Sequence, residues 1–192
     1  PATENIPDLH NSHWNYKVHA RRDISQIYSP AKKKLESLRK LGFTAAHIVP
    51  DSGIFKGSTA LVHLNDKGSV INSEVAQDIA YEVEGWRGNK YPSALLGVVA
   101  LIRQTLIDAD WYQMAVEKVQ KYPQFNKTPK KNTDLDILGN WIGGNYPIIF
   151  ETNHELSALR SFQIAKEFGL NIWIMGNGYE YRRIKEIIEM NP

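Results

Sequence analysis

The chain has 192 residues, 42% of them hydrophobic, which is enough for one domain with a buried core. Its 23 basic and 21 acidic side chains nearly cancel, so a strong positive field that would attract nucleic acid is not expected. The lack of cysteine excludes disulfides and thiolate metal sites, and no signal peptide or apolar run long enough to span a bilayer of about 30 Å occurs.

The first part of the chain predicts an irregular segment followed by a helix. Residues 1–28 show no hydrophobic periodicity, so we expect them to form an irregular N-terminal segment before one domain over residues 29–192. Ser29 and Pro30 then begin a helix, because a capping hydroxyl precedes proline at the first helical position.

Strands are predicted to follow this helix. Phe43 to Val49 is a short apolar run that predicts one strand, and "TALVHL" predicts a second. After a turn at Asn65 to Gly68, the residues "SVI" are expected to pair with the second strand as a β-hairpin. "IAYEVEG" is a further strand candidate.

The longest helix is predicted to begin at Pro92 and Ser93 and to end near Tyr122. Ala94 to Ile102 is apolar on every side of this helix, which predicts burial between other layers. "TDLDILGNWI" predicts a shorter helix after a polar loop.

The closing part of the chain predicts the order strand, helix, strand, helix. Tyr146–Glu151 and Leu170–Met175 are short apolar runs, as buried strands are. Thr152-x-x-Glu155 is a capping-box pattern that begins the helix between them, and Gly169 ends it. Because the connections are short, parallel strands with right-handed crossovers are expected.

These elements together predict an α/β fold. We expect Phe43–Val49, Tyr146–Glu151 and Leu170–Met175 to be strands of one mainly parallel sheet. An inserted β-hairpin and a long buried helix complete the predicted architecture.

Ligands of parallel α/β sheets gather at the carboxyl ends of the strands, and several polar residues are expected there. The candidates are His47, Asp51, Glu151, His154 and Asn177. A carboxylate and an imidazole at strand ends can bind a metal or share proton transfer. The alternative is that Glu151 and His154 only interact with the N-terminus of the following helix. Spacing alone leaves both interpretations open.

Two other patterns are weaker. The histidines of His10-x-x-His13 are not fixed by a predicted helix or strand, so they predict no zinc site. The turn Gly176 to Gly178 follows a strand, but it lacks the third glycine of a dinucleotide site and a Walker lysine.

Three stretches of the sequence, taken in order, resemble one enzyme family. They are "GFTAAHIVPDSGIFKGSTALVHL", "YPSALLGVVALIRQTLIDADWY" and "YPIIFETNHELSALRSFQIAKEFGLNIWIMGNGYEYRRIKEI". They are similar to the middle of imidazolonepropionase-like members of the metal-dependent amidohydrolase superfamily. The resemblance implies part of a (β/α)8 TIM-type barrel, and hydrolysis of small amide or peptide-like C–N bonds by water that a divalent metal such as zinc activates.

The chain also departs from that pattern. The His-x-His pair that supplies the family's first metal ligands does not occur, and Glu151 stands where a ligand histidine is common. Gly176 and Asn177 stand where a second ligand histidine is common. The resemblance therefore implies a central fragment of a longer parent protein, itself inactive and with no tightly bound metal.

Within this fragment the candidate metal ligands are Glu151, His154 and His47, and the candidate substrate-pocket residues are Asp51 and Asn177. The alternative function is a non-catalytic ligand-binding domain on a degenerate amidohydrolase scaffold. Self-association through exposed barrel edges is expected, because unpaired edge strands readily pair with another chain. The sequence does not select a cellular compartment.

Overall fold

The computed structural model describes residues 12–83, 90–124, 127–142 and 146–190. Within these ranges the chain forms six α-helices, seven strands and one short 3-10 helix, Glu180–Arg183. The helices are α1 (Ile24–Ile27), α2 (Lys32–Lys40), α3 (Leu95–Lys121), α4 (Thr133–Trp141), α5 (Glu155–Phe168) and α6 (Ile184–Glu189). The strands are β1 (Ala45–Ile48), β2 (Phe55–Ser58), β3 (Ala60–His63), β4 (Val70–Asn72), β5 (Gln77–Ala80), β6 (Ile148–Glu151) and β7 (Ile172–Met175).

The larger of two sheets has the strand order β2-β5-β6-β7. Strands β5, β6 and β7 are parallel, as predicted for the closing segment, and β2 runs antiparallel to β5. Ile79, Phe150 and Ile174 lie side by side across the parallel strands. Ile79 and Phe150 belong to the hydrophobic core, together with Leu101 and Ile102 of α3, and Ile174 packs against it. Burial of these apolar side chains between the sheet and the helices stabilises the sheet.

Strand β1 does not belong to this sheet. The prediction that Phe43–Val49 shares one mainly parallel sheet with Tyr146–Glu151 and Leu170–Met175 is wrong, because β1 lies in a separate sheet of order β1-β3-β4. All pairs there are antiparallel, and β3 with β4 forms the predicted hairpin. An apolar run indicates a strand but not its partner, and β1 is only partly buried, unlike β5 and β6.

The chain crosses from the larger sheet to the smaller one at Thr59, the single residue between β2 and β3. Thr59 is fully buried, its amide donates to the carbonyl of Ala76, and its carbonyl accepts from the amide of Val75. The first residue of "TALVHL", which was predicted to be one strand, is thus hydrogen-bonded to the segment that precedes β5 of the larger sheet.

The segment before α1 lies along the outer edge of β2. The amide of His19 donates to the carbonyl of Phe55, and the amide of Ser58 donates to the carbonyl of Arg22. Val18 and Ala20 are buried in or beside the core. Although this segment has little regular structure, it covers an edge that would otherwise be open.

Helix α3 covers the length predicted for it, but it is not buried on all sides. Leu101 and Ile102 are fully buried, whereas Leu96 is 80% exposed. The helix packs against the core and α4 on one face only, which leaves the opposite face in contact with solvent. The prediction of burial on every side over Ala94 to Ile102 is therefore wrong.

The described ranges form an open, mixed α/β arrangement and do not close a barrel. None of the helices in these ranges has both the length and the apolar character needed to cross a lipid bilayer.

Candidate functional site

A cleft of about 520 Å³ lies at the carboxyl ends of the three parallel strands. Its walls are formed where the strands end, by residues 80–82 of β5 and the loop after it, residues 151–153 at the end of β6 and residues 175–176 at the end of β7, together with Asp51 and Lys56. This is the edge at which parallel α/β sheets bind ligands. The volume falls in the range of small-molecule sites.

Lys56 is the central charged residue of this cleft. Its Nζ lies 2.6 Å from Oε1 of Glu151 and 3.8 Å from Oδ2 of Asp78. The Lys56 side chain is only 7% exposed, Glu151 is 23% exposed, and Asp78 is not exposed at all. The ammonium is thus held inside the protein by a direct contact with one carboxylate, with a second carboxyl group close by.

Lys56 lies at a β-bulge. Phe55 pairs with Ile79 and Gly57 pairs with Asp78, so Lys56 is the extra residue on β2. Phe55 shares the core face of the sheet with Ile79, so the side chain that follows it lies on the opposite face, which also carries Glu151. Gly57 has φ 113°, a conformation that favours glycine, and a Cβ there would collide with the backbone of Arg22.

Asp78 is a buried carboxyl group without a hydrogen-bond partner among the described residues. Burial, followed by the negative charge of Glu151, raises the pKa of Asp78 to about 8, against the opposing effect of Lys56. Asp78 is therefore mostly protonated at neutral pH and adds little negative charge beside the Lys56–Glu151 ion pair.

Glu82 forms a second ion pair at the rim of the cleft. Its carboxylate accepts hydrogen bonds from Lys17 Nζ at 2.7 Å and from the Gly53 amide at 2.6 Å. Partial burial alone would raise the pKa of Glu82, but these two donors lower it overall. Asp51 lines the same cleft and is exposed.

The structure separates the three predicted metal ligands. Glu151 lies in the cleft against Lys56. His154 is the N-cap of α5, where its Nδ1 accepts the Leu156 amide at 3.2 Å, so the predicted capping box at Thr152 does not form. The hydroxyl and the amide of Thr152 instead donate to the carbonyl of Met175.

His47 lies on β1 in the smaller sheet, and its Nε2 is 2.7 Å from the Thr59 hydroxyl. Burial lowers the pKa of His47, which favours the neutral ring. Throughout the ranges that the structure describes, no group of three histidine, aspartate or glutamate side chains could hold a metal ion. The described residues therefore do not fit a metal centre.

The two predicted substrate-pocket residues have different surroundings. Asp51 lines the cleft, whereas Asn177 is not among its lining residues. The amides of Asn177 and Gly178 both donate to the Glu180 carboxylate, and the Asn177 side chain accepts the Tyr179 amide. The turn from Gly176 to Gly178 thus already holds an anion of its own chain, the Glu180 carboxylate. His10 of the weak zinc pattern lies outside the described residues.

Lys56, Asp78 and Tyr81 were not among the predicted site residues. A usable signal was present for the first two, because "GIFKGSTALV" and "QDIA" each carry one charge inside a run of uncharged residues. A charged residue in a buried strand requires a polar partner. Here Lys56 Nζ lies 3.8 Å from Oδ2 of Asp78.

The comparisons with known proteins bear on the fold. No protein-family model matches the chain, and no curated protein matches it. One solved structure that does match is an amidohydrolase from Thermotoga maritima MSB8, with a TM-score of 0.76 and 19% sequence identity. The match covers 91% of this chain and 48% of that one.

The chain has an amidohydrolase-like fold. It spans about half the length of the solved amidohydrolase that it matches. At 19% identity this likeness concerns the arrangement of strands and helices. Activity and substrate have to be argued from the site itself.

Proposed function

We propose that this chain is the central part of an amidohydrolase-like protein that hydrolyses C–N bonds in small amide or peptide-like molecules. The observation that carries this proposal is the Lys56–Glu151 pair in a cleft at the carboxyl ends of parallel strands, on an amidohydrolase-like fold. The imidazolonepropionase-like subgroup, implied by the sequence resemblance, remains part of the proposal.

In this proposal the described residues bind and orient the substrate. The Lys56 ammonium donates hydrogen bonds, which suits the carbonyl oxygen of an amide, and the Glu151 carboxylate accepts them, which suits an amide N–H. The 2.6 Å separation allows a cyclic (cis) or primary amide, whose C=O and N–H lie on the same side, to reach both groups, whereas a trans amide would reach one of them. The nearly complete burial of Lys56 limits its contact with water and strengthens such contacts.

The proposal assigns no metal step to these residues, because they do not assemble three ligands. Water activation would depend on groups contributed by other parts of the parent protein. On this basis we propose that the 192-residue chain alone has no hydrolytic activity.

One observation favours a second candidate function, ligand binding without catalysis. Glu151, the residue at the position where the family resemblance places a ligand histidine, is already paired with Lys56. A carboxylate held by an ammonium is a poor metal ligand, because the two cations compete for the same oxygens.

Turnover measurements on the full gene product separate the two functions. The substrates are a panel of dipeptides and cyclic amides, with added zinc, manganese or chelator. Hydrolysis that chelator abolishes and that Glu151→Gln lowers at least about tenfold supports the enzyme. Binding of panel members to the cleft without turnover under any metal supports the non-catalytic alternative and contradicts the first proposal.

A further inference from the structure

A second hollow, of about 330 Å³, adjoins the cleft. Tyr81 and Asn153 line both spaces, so the two meet at these residues. The second hollow is also lined by the first turns of α5, including Ser157 and Arg160. It lies on the side of the cleft away from Lys56, which lines only the first space.

Arg160 gives this hollow a positive charge that no acidic side chain of the described residues balances. Its guanidinium forms neither a salt bridge nor a hydrogen bond with the part of the chain that the structure describes. The described residues lining the hollow include no aspartate or glutamate. Arg103, by comparison, is held by Glu167 at 2.6 Å. An unpaired guanidinium in a concave site is suited to a planar anion.

Ser157 contributes a hydroxyl to the same hollow. The residue is 96% buried, since only 4% of its surface is exposed, and its hydroxyl makes no hydrogen bond to any described residue. Its neighbours are satisfied, because the Ser161 hydroxyl contacts the Tyr81 hydroxyl at 2.9 Å and the Ser157 carbonyl at 2.9 Å. Because Ser157 lines the hollow and its oxygen is not among the fully enclosed polar atoms without a partner, its hydroxyl is open to the hollow, where it can donate to a bound ligand.

The other residues that line the hollow indicate which chemical groups of the ligand lie next to its anion. Val83, Leu95 and Leu156 are apolar residues of the same hollow. The positive end of the 14-residue helix α5 also favours a negative charge, although His154 already accepts the Leu156 amide there. One arginine and one hydroxyl beside apolar walls suit a carboxylate next to an apolar side chain better than a doubly charged phosphate, which usually takes more donors.

We propose that the second hollow binds the carboxylate of an amino-acid-derived ligand, with Arg160 and Ser157 as its partners. The rest of the ligand then passes Tyr81 and Asn153 and places its amide bond near Lys56 and Glu151. The peptide-like nature of the ligand rests on the proposed function. The binding of its carboxylate does not require turnover.

The test is calorimetric binding of two matched probes to the full chain. Alanyl-leucine carries the carboxylate, and alanyl-leucinamide differs only by its neutral amide. We expect alanyl-leucine to bind at least about tenfold more tightly, as for a hydrogen bond to a charged group. Arg160→Met should remove this difference, Ser157→Ala should reduce it a few-fold, and Arg160→Lys should restore part of it.

Arg39→Met is the control, since Arg39 pairs with Asp66 and lines neither space. It should leave both affinities unchanged. Circular dichroism shows whether each variant is folded. If Arg160→Met does not fold, the affinities of the two probes for the wild type and for Arg160→Lys test the carboxylate site instead.

Three results would overturn the carboxylate site: equal affinity for the two probes, an unchanged difference in Arg160→Met, or inorganic phosphate that binds as tightly as alanyl-leucine. Since these are binding measurements, they leave the proposed hydrolytic function standing. Conversely, a lack of turnover in the full gene product would not change the predicted preference for the carboxylate.

Discussion

The ammonium of Lys56 lies 2.6 Å from the carboxylate of Glu151, although the two residues stand on strands that are not neighbours in the sheet. Strand β5 lies between them and contributes Asp78, 3.8 Å from the same ammonium. Lys56, Asp78 and Glu151 therefore bring together three strands of the larger sheet, β2, β5 and β6, beside the cleft. They link the stability of the sheet to the chemistry of the site.

Removing Lys56 should be strongly destabilising. In Lys56→Met the Glu151 carboxylate loses its partner in a mostly buried position, and breaking a buried pair costs roughly 3 kcal/mol or more. Urea unfolding measures the loss. The matched control is Arg103→Met, which removes a pair of the same 2.6 Å length at the surface and should cost about 1 kcal/mol or less. Equal losses in the two variants would show that the Lys56 pair is not a buried interaction.

Asp78 should make the protein less stable as the pH rises. Its pKa in the folded state is about 8, against an ordinary value near 3.8, so between these values the folded state binds more protons than the unfolded state. The contribution of Asp78 to the free energy of unfolding is then greatest below about pH 4 and is lost as the pH rises toward 8, by at most about 1.4 kcal/mol per pH unit.

The Asp78→Asn variant isolates this effect, since asparagine resembles the protonated acid and does not titrate. Urea unfolding measures the free energy of unfolding of both proteins from pH 5 to pH 8. As the pH rises, the wild type should lose stability relative to Asp78→Asn. A difference that is constant with pH would mean that Asp78 is ionised in the folded protein.

Gly57 should not tolerate a side chain. Gly57→Ala places a Cβ against the backbone of Arg22 at φ 113°, which should cost roughly 3 kcal/mol from strain and collision combined. Gly169→Ala is the control, because Gly169 also has positive φ but open space around it, and should cost about 1 kcal/mol. Thermal unfolding compares the two, and a smaller loss in Gly57→Ala would contradict the bulge geometry that presents Lys56.

Self-association through the free edge of the larger sheet remains a prediction. Strand β7 pairs only with β6 among the described strands, and Trp173 on it is 47% exposed. Sedimentation velocity should show oligomers that grow with concentration and decrease in Trp173→Lys. Trp111→Lys, which changes an exposed tryptophan of α3, should leave them unchanged. A monomer at all concentrations would contradict the prediction.

The ends of the strands could be predicted from the sequence. Because some of the cleft residues lie at these ends, part of the cleft could be predicted as well. The apolar run before Glu151 and the helix after it fix a parallel strand, and the polar residue at the end of that strand lies at the ligand-binding edge. Asp51 was found by the same reasoning, although the strand before it, β1, lies in the other sheet.

Lys56 and His47 show where sequence reasoning stops. Alternation along "IFKGS" puts Lys56 on the face opposite Phe55. The sequence does not indicate that Asp78 and Glu151 share this face, because that depends on the pairing of β2 with β5 and of β5 with β6. His47 was placed near Glu151 on the assumption of one sheet. Strand partners are set by contacts between residues distant in sequence, and local periodicity does not encode them.

Metal retention by the 192-residue chain distinguishes a substrate-binding site from a metal centre at Glu151. The chain, Glu151→Gln and His47→Gln are incubated with excess zinc, dialysed and analysed for bound metal. If the cleft binds substrate and not metal, we expect far less than one zinc per chain in all three samples. One zinc per chain in the wild type, lost in Glu151→Gln, would contradict this expectation and would show that Glu151 exchanges Lys56 for a metal.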